Sequence, residues 1–103
     1  MDVRLNVEVY SYYEGKCPTY RIYVNDHLYN EREFWVDCLV NLIEEEIFVD
    51  IDYGKHTLTI EKIMPPQAKI WVEKITLSYN NTIREISFPI NPQDKQIIEF
   101  NIE

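Results

Sequence analysis

Residues able to do acid–base or nucleophilic chemistry are few in this sequence, and their spacing marks no reaction centre. Nucleophilic catalysis needs a base within hydrogen-bond reach and a third group to orient it. Only two histidines are present. His27 falls in a predicted hairpin turn as a solvated turn residue, and His56 opens a strand beside Gly54 and Lys55. No GxSxG, phosphate-binding loop or HExxH occurs, and two glycines leave no glycine-rich cradle. Glycoside hydrolysis needs two carboxylates across a groove, one with a raised pKa. Carboxylates abound here, but nothing in the sequence singles out a pair. The chain therefore reads as a non-enzyme, with no catalytic residue to name.

Calcium prefers clustered carboxylate and carbonyl oxygens. Asp50 and Asp52 share a strand face beside Tyr53-Gly54, and Glu44 and Glu46 share one if their segment is extended. No DxDxDG loop exists, so a solvated acidic face is the preferred account and no cofactor is expected. Asp50 and Asp52 are the residues to consider for calcium. Cys17 and Cys38 form no CxxC, and neither has a histidine at ligand spacing. The N-terminal MDVRLNVEVY is a strand pattern and not a signal peptide. Without an export signal the cysteines are expected as two free thiols, one disulfide being the alternative.

Aromatic side chains are the stronger lead. Within TYRIYVNDHLYNEREFWVD, alternation directs Ile22 and Val24 inward, leaving Tyr23 and Trp35 outward, with Tyr29 between them. Trp71 is out of phase with Ile70 and Val72. Tyr and Trp pair a large apolar ring with a polar handle and are enriched in binding hot spots. Tyr23, Tyr29, Trp35 and Trp71 are thus candidates for a protein interface. The same rings suit stacking on sugars, with Asn, Asp and Glu taking hydroxyls.

These residues have to be positioned by strands. Period-two alternation dominates the chain: Val3, Leu5, Val7 and Val9, then Tyr20, Ile22 and Val24, then Phe34 and Val36 within a segment near residues 32–38. Ile47, Val49, Ile51 and Tyr53 follow, then Leu58 and Ile60. Ile70 and Val72 set an even-numbered inner face, whereas Ile75, Leu77 and Tyr79 set an odd one. A strand changes face only through an inserted residue, so a bulge is expected near Glu73-Lys74, two shorter strands meeting there being the alternative. Asn25-Asp26 and Asn80-Asn81 read as tight hairpin turns, the latter accounting for the Asn80-Asn81-Thr82 glycosylation match. Ile86, Phe88 and Ile90 form the partner strand, with Pro89 at its end. Ile98, Phe100 and Ile102 close the chain. Residues 37–46 hold Leu39, Leu42 and Ile43 at helical spacing, enough for one or two turns. Met64-Pro65-Pro66-Gln67 reads as a loop crossing between sheets.

About eight strands at this spacing predict an all-β fold, an antiparallel β-sandwich that is jelly-roll-like, as a single domain over residues 1–103. The chain carries 18 acidic against 10 basic residues, a net charge of −8, with no basic run. Such a field repels phosphate backbones and anionic lipid, so nucleic acid and membrane are not expected partners. No window approaches the ~18 apolar residues that span a bilayer.

The stretches at residues 22–26, 54–60 (GKHTLTI) and 72–75 resemble small carbohydrate-binding modules of the xylan-binding β-sandwich type. There a strand ending in VN and a turn precedes one of the form G-x-HTL-x-I. That resemblance implies a sandwich, glycan binding and calcium-assisted contact with sugar hydroxyls. The chain also resembles small virion proteins of tailed bacteriophages that reuse such sandwiches. This second resemblance implies a non-catalytic capsid-decoration or tail-associated protein, assembled in the host cytoplasm and contacting other virion subunits or copies of itself. The virion role is the primary expectation and the carbohydrate-binding module the alternative.

Overall fold

The computed structural model describes residues 1–34 and 42–103. They form eight strands: β1 (Asp2–Tyr12), β2 (Thr19–Val24), β3 (His27–Glu33), β4 (Leu42–Asp50), β5 (Gly54–Met64), β6 (Lys69–Tyr79), β7 (Thr82–Ser87) and β8 (Lys95–Ile102). Two four-stranded sheets result, in the orders β4-β1-β6-β7 and β3-β2-β5-β8, with every pairing antiparallel. The all-β sandwich expected from the alternation is the fold. Its core is the set of inward apolar side chains, among them Leu5, Val7, Ile75 and Leu77 from one sheet and Tyr20, Ile22, Leu58 and Phe100 from the other. Burying one such side chain stabilises the fold by about 1.5–3 kcal/mol.

The turns and the bulge follow their sequence signals. Asn25, Asp26, Asn80 and Asn81 all have positive φ, which a two-residue hairpin turn requires at both central positions and which Asn and Asp tolerate. The β1–β6 register steps from Glu8 opposite Lys74 to Val9 opposite Val72, so Glu73 is the inserted residue. That insertion lets Ile70 and Val72 share the core with Ile75 and Leu77 despite their opposite parity. The loop after Met64 does cross from one sheet to the other.

Several expectations are corrected. The strand after the Asn25-Asp26 turn begins at His27 rather than near residue 32, because a two-residue turn leaves no loop before the partner strand. Its polar sequence HLYNERE suits an edge position, where only one side pairs. Residues 42–46 are strand and not helix. Trp35, Val36, Cys38 and the rest of the helical candidate at 37–41 lie outside the described residues. β4 ends at Asp50, leaving Tyr53 exposed, and β7 ends at Ser87, leaving Ile90 exposed. In the second case Pro89 has no N–H to continue the ladder.

Candidate interaction surface

Alternation along β4 points Ile43, Glu45, Ile47 and Val49 inward, so Glu44, Glu46, Phe48 and Asp50 face solvent. Register then aligns an outward row across the whole sheet: Phe48 opposite Arg4, Arg4 opposite Ser78, Ser78 opposite Ile83. Phe48 is 68% exposed and Ile83 70%. Between them, beside the Asn80-Asn81 turn, lies an open hollow of about 540 Å³. The next outward rows are acidic. Glu46 faces Asn6, and Glu44 sits directly opposite Glu8, which Lys74 approaches at 3.7 Å. The same ammonium lies 3.7 Å from Glu85 on β7.

At the far end of this face the rings of Tyr10 and Trp71 stack with centroids 6.0 Å apart and planes 12° from parallel. The Trp71 indole donates to Glu73 at 3.2 Å. Partial burial raises the Tyr10 phenol above its ordinary pKa, and the Glu8 and Glu73 carboxylates add to the shift.

The expected aromatic residues are not brought together. Trp71 lies on the outer face of the β4-β1-β6-β7 sheet, whereas Tyr23 lies on the outer face of the other. Tyr23 there adjoins Thr59 and Leu28 and reaches towards Glu61 at 3.4 Å. With Asp26, Thr57, Lys95 and Ile97, the side chains of Tyr23, Thr59 and Glu61 line a groove of about 410 Å³. Tyr29 is the extra residue where the β2–β3 register shifts, and it is 44% exposed on the flank between β3 and β4. Trp35 is outside the described residues.

Asp50 and Asp52 both act on the N-terminal ammonium of Met1, which their negative charges help hold protonated. The N-terminal ammonium of Met1 donates to Asp50 at 2.6 Å, and the Asp52 carbonyl accepts from His56 Nε2 at 2.7 Å. No cluster of three or more metal-ligating side chains occurs among the described residues. His56 Nδ1 accepts from the Asn25 amide at 2.9 Å, and Asn25 Oδ1 accepts from the Thr57 N–H at 3.0 Å. His56 thus braces the hairpin turn against β5. His27 is exposed at the start of β3. Cys17 is a free, half-buried thiol.

Two buried ionic groups went unremarked in the sequence. Glu45, 3% exposed, accepts from the Tyr20 hydroxyl (2.5 Å), Asn30 (2.7 Å) and Arg32 Nε (2.5 Å). It belongs to one sheet and its three donors to the other, so the network ties the sheets at their open flank. Burial first, then the bond to Glu45, pushes the Tyr20 phenol far above its usual range. The hydrogen bond to Glu45 likewise raises Arg32. Lys62, 5% exposed, donates to the Pro66 and Ala68 carbonyls at 2.9 Å each and pairs with Asp94 at 2.8 Å. It caps the opposite end of β5. The signal for Glu45 was present, since odd-numbered alternation from Ile43 to Val49 includes it. Phe48 and Ile83 were signalled as well, each being an apolar residue out of phase with its inward neighbours.

Comparison of the chain with protein-family models, curated proteins and solved structures finds no match.

Proposed function

We propose that this protein is a non-catalytic interaction module that docks on another protein through the outer face of its β4-β1-β6-β7 sheet. One observation carries the reading: the cross-strand row Phe48–Arg4–Ser78–Ile83, with a large apolar side chain exposed at each end. Exposed apolar groups rimmed by polar ones are characteristic of protein contact sites. The setting we propose is a tailed-bacteriophage particle, where the chain serves as a capsid-decoration or tail-associated subunit, as its sequence resemblance implies. Mass spectrometry of gradient-purified particles tests that setting. The chain is expected at stoichiometric abundance, and its absence from intact particles overturns the virion role.

A second reading, a carbohydrate-binding module, is favoured by the groove beside Tyr23. Its ring and Ile97 offer apolar surface, while Asp26, Thr57, Glu61 and Lys95 offer hydrogen-bonding groups at the rim. Affinity electrophoresis through polysaccharide gels, with and without a chelator, tests this. Retardation lost in Tyr23→Ala supports it, and no retardation on any polysaccharide overturns it.

A further inference from the structure

The outward positions of β4 break a rule of sheet stability. Glu44 lies directly opposite Glu8, and Asp50 directly opposite Asp2. Like charges facing one another across a sheet are destabilising. The Met1 ammonium relieves Asp50, and Lys74 relieves Glu8 while shared with Glu85. Among the described residues no cation lies within ion-pair distance of Glu44 or Glu46. Local choices that oppose the fold mark places where a sequence serves a function.

From this charge pattern we infer that the face takes a basic segment of a partner protein, extended along β4. Successive outward positions on a strand lie about 7 Å apart. Phe48, Glu46 and Glu44 therefore ask for an apolar side chain followed by two cations at alternate positions. The apolar side chain enters the hollow between Phe48 and Ile83, and the cations neutralise the two glutamates. A second copy of this chain is a poorer occupant than a basic segment, because each copy carries a net charge of −8. Nucleic acid is repelled outright.

This inference rests on the docking reading and names the partner's chemistry. The test titrates the full chain with three synthetic peptides of the pattern Leu-Ser-Xaa-Ser-Xaa-Ser, which put Leu and both Xaa side chains on one face of an extended chain, Xaa being Lys, Glu or Ser. The Lys peptide is expected to bind, to shift backbone resonances along β4, and to weaken about tenfold as salt is raised. Glu44→Lys is expected to hold or raise the melting temperature, since the new cation faces Glu8, and to weaken Lys-peptide binding about tenfold. A stable variant that loses binding separates recognition from folding. Equal binding of Lys and Ser peptides, both weakened by Phe48→Ala, overturns the basic-partner inference and leaves the docking reading standing. Binding indifferent to both Phe48→Ala and Glu44→Lys overturns the two together. Sedimentation showing a dimer disrupted by Phe48→Ala names a second copy as occupant and also overturns it.

Discussion

The Tyr20 hydroxyl donates to the Glu45 carboxylate at 2.5 Å across the gap between the two sheets, and Arg32 donates to the same oxygen. Glu45 therefore ties the sheets together on a strand face that is otherwise aliphatic. Removing one partner of a buried ion pair leaves the other unpaired in a poorly hydrated place. Arg32→Ala is expected to cost about 1–2 kcal/mol, because Glu45 stays buried but keeps its Tyr20 and Asn30 donors. Glu45→Ala is expected to cost more, because it leaves the buried Tyr20 hydroxyl without an acceptor. Urea denaturation of both variants checks the order, and equal or reversed losses contradict it.

The same contact predicts an alkaline instability. The Tyr20 phenol is raised in the fold by burial and by Glu45, relative to an ordinary value near 10. A group raised on folding favours its protonated form in the native state. Its stabilisation is thus complete below about pH 10 and is lost as pH climbs above that value. The Tyr20 contribution to stability is expected to hold from neutral pH to about 9.5 and then to be lost. Tyr20→Phe starts less stable and falls less steeply. Parallel alkaline slopes for the two proteins contradict this assignment.

Glu73 gives a test of register. Deleting it joins the even and odd apolar sets of β6 into one regular alternation, so the core keeps its side chains. The losses are the Trp71–Glu73 hydrogen bond and the bond from the Phe88 N–H to the Glu73 carbonyl at 2.7 Å. The deletion is expected to fold with a loss of about 1–2 kcal/mol. Deleting Thr76 instead turns Leu77 and Tyr79 outward and is expected to abolish folding. Circular dichroism and thermal melts distinguish them.

The Asn25 turn separates backbone from side-chain effects. Its φ is 49°, and its amide bridges His56 and the Thr57 N–H. Asn25→Gly keeps the left-handed conformation and loses both bridges, at about 1 kcal/mol. Asn25→Ala adds backbone strain, bringing the loss to about 2 kcal/mol. Chemical denaturation giving equal losses would show that only the side chain matters.

What was legible in the sequence follows from period two. Alternation exposes strand faces directly, so the sandwich, both Asn turns and a bulge near Glu73-Lys74 could be read without coordinates, while only pairing identifies Glu73 as the inserted residue. Register was not legible. Only pairing shows that Phe48 and Ile83, 35 positions apart in sequence, end one row, or that Glu44 opposes Glu8. The same ignorance grouped Tyr23 with Trp71, which lie on opposite outer faces. Glu45 was obscured by its acidic neighbours, since three consecutive glutamates read as a solvated run until one of them is seen to face inward.

Retention of purified chain on chain-depleted particles, measured by sedimentation, bears most directly on docking through the β4-β1-β6-β7 face. Wild type and Tyr23→Ala are expected to travel with the particles. The double variant Phe48→Asp with Ile83→Asp, folded by circular dichroism, is expected in the free fraction with at least about tenfold weaker retention. A double variant retained as fully as wild type would contradict the account.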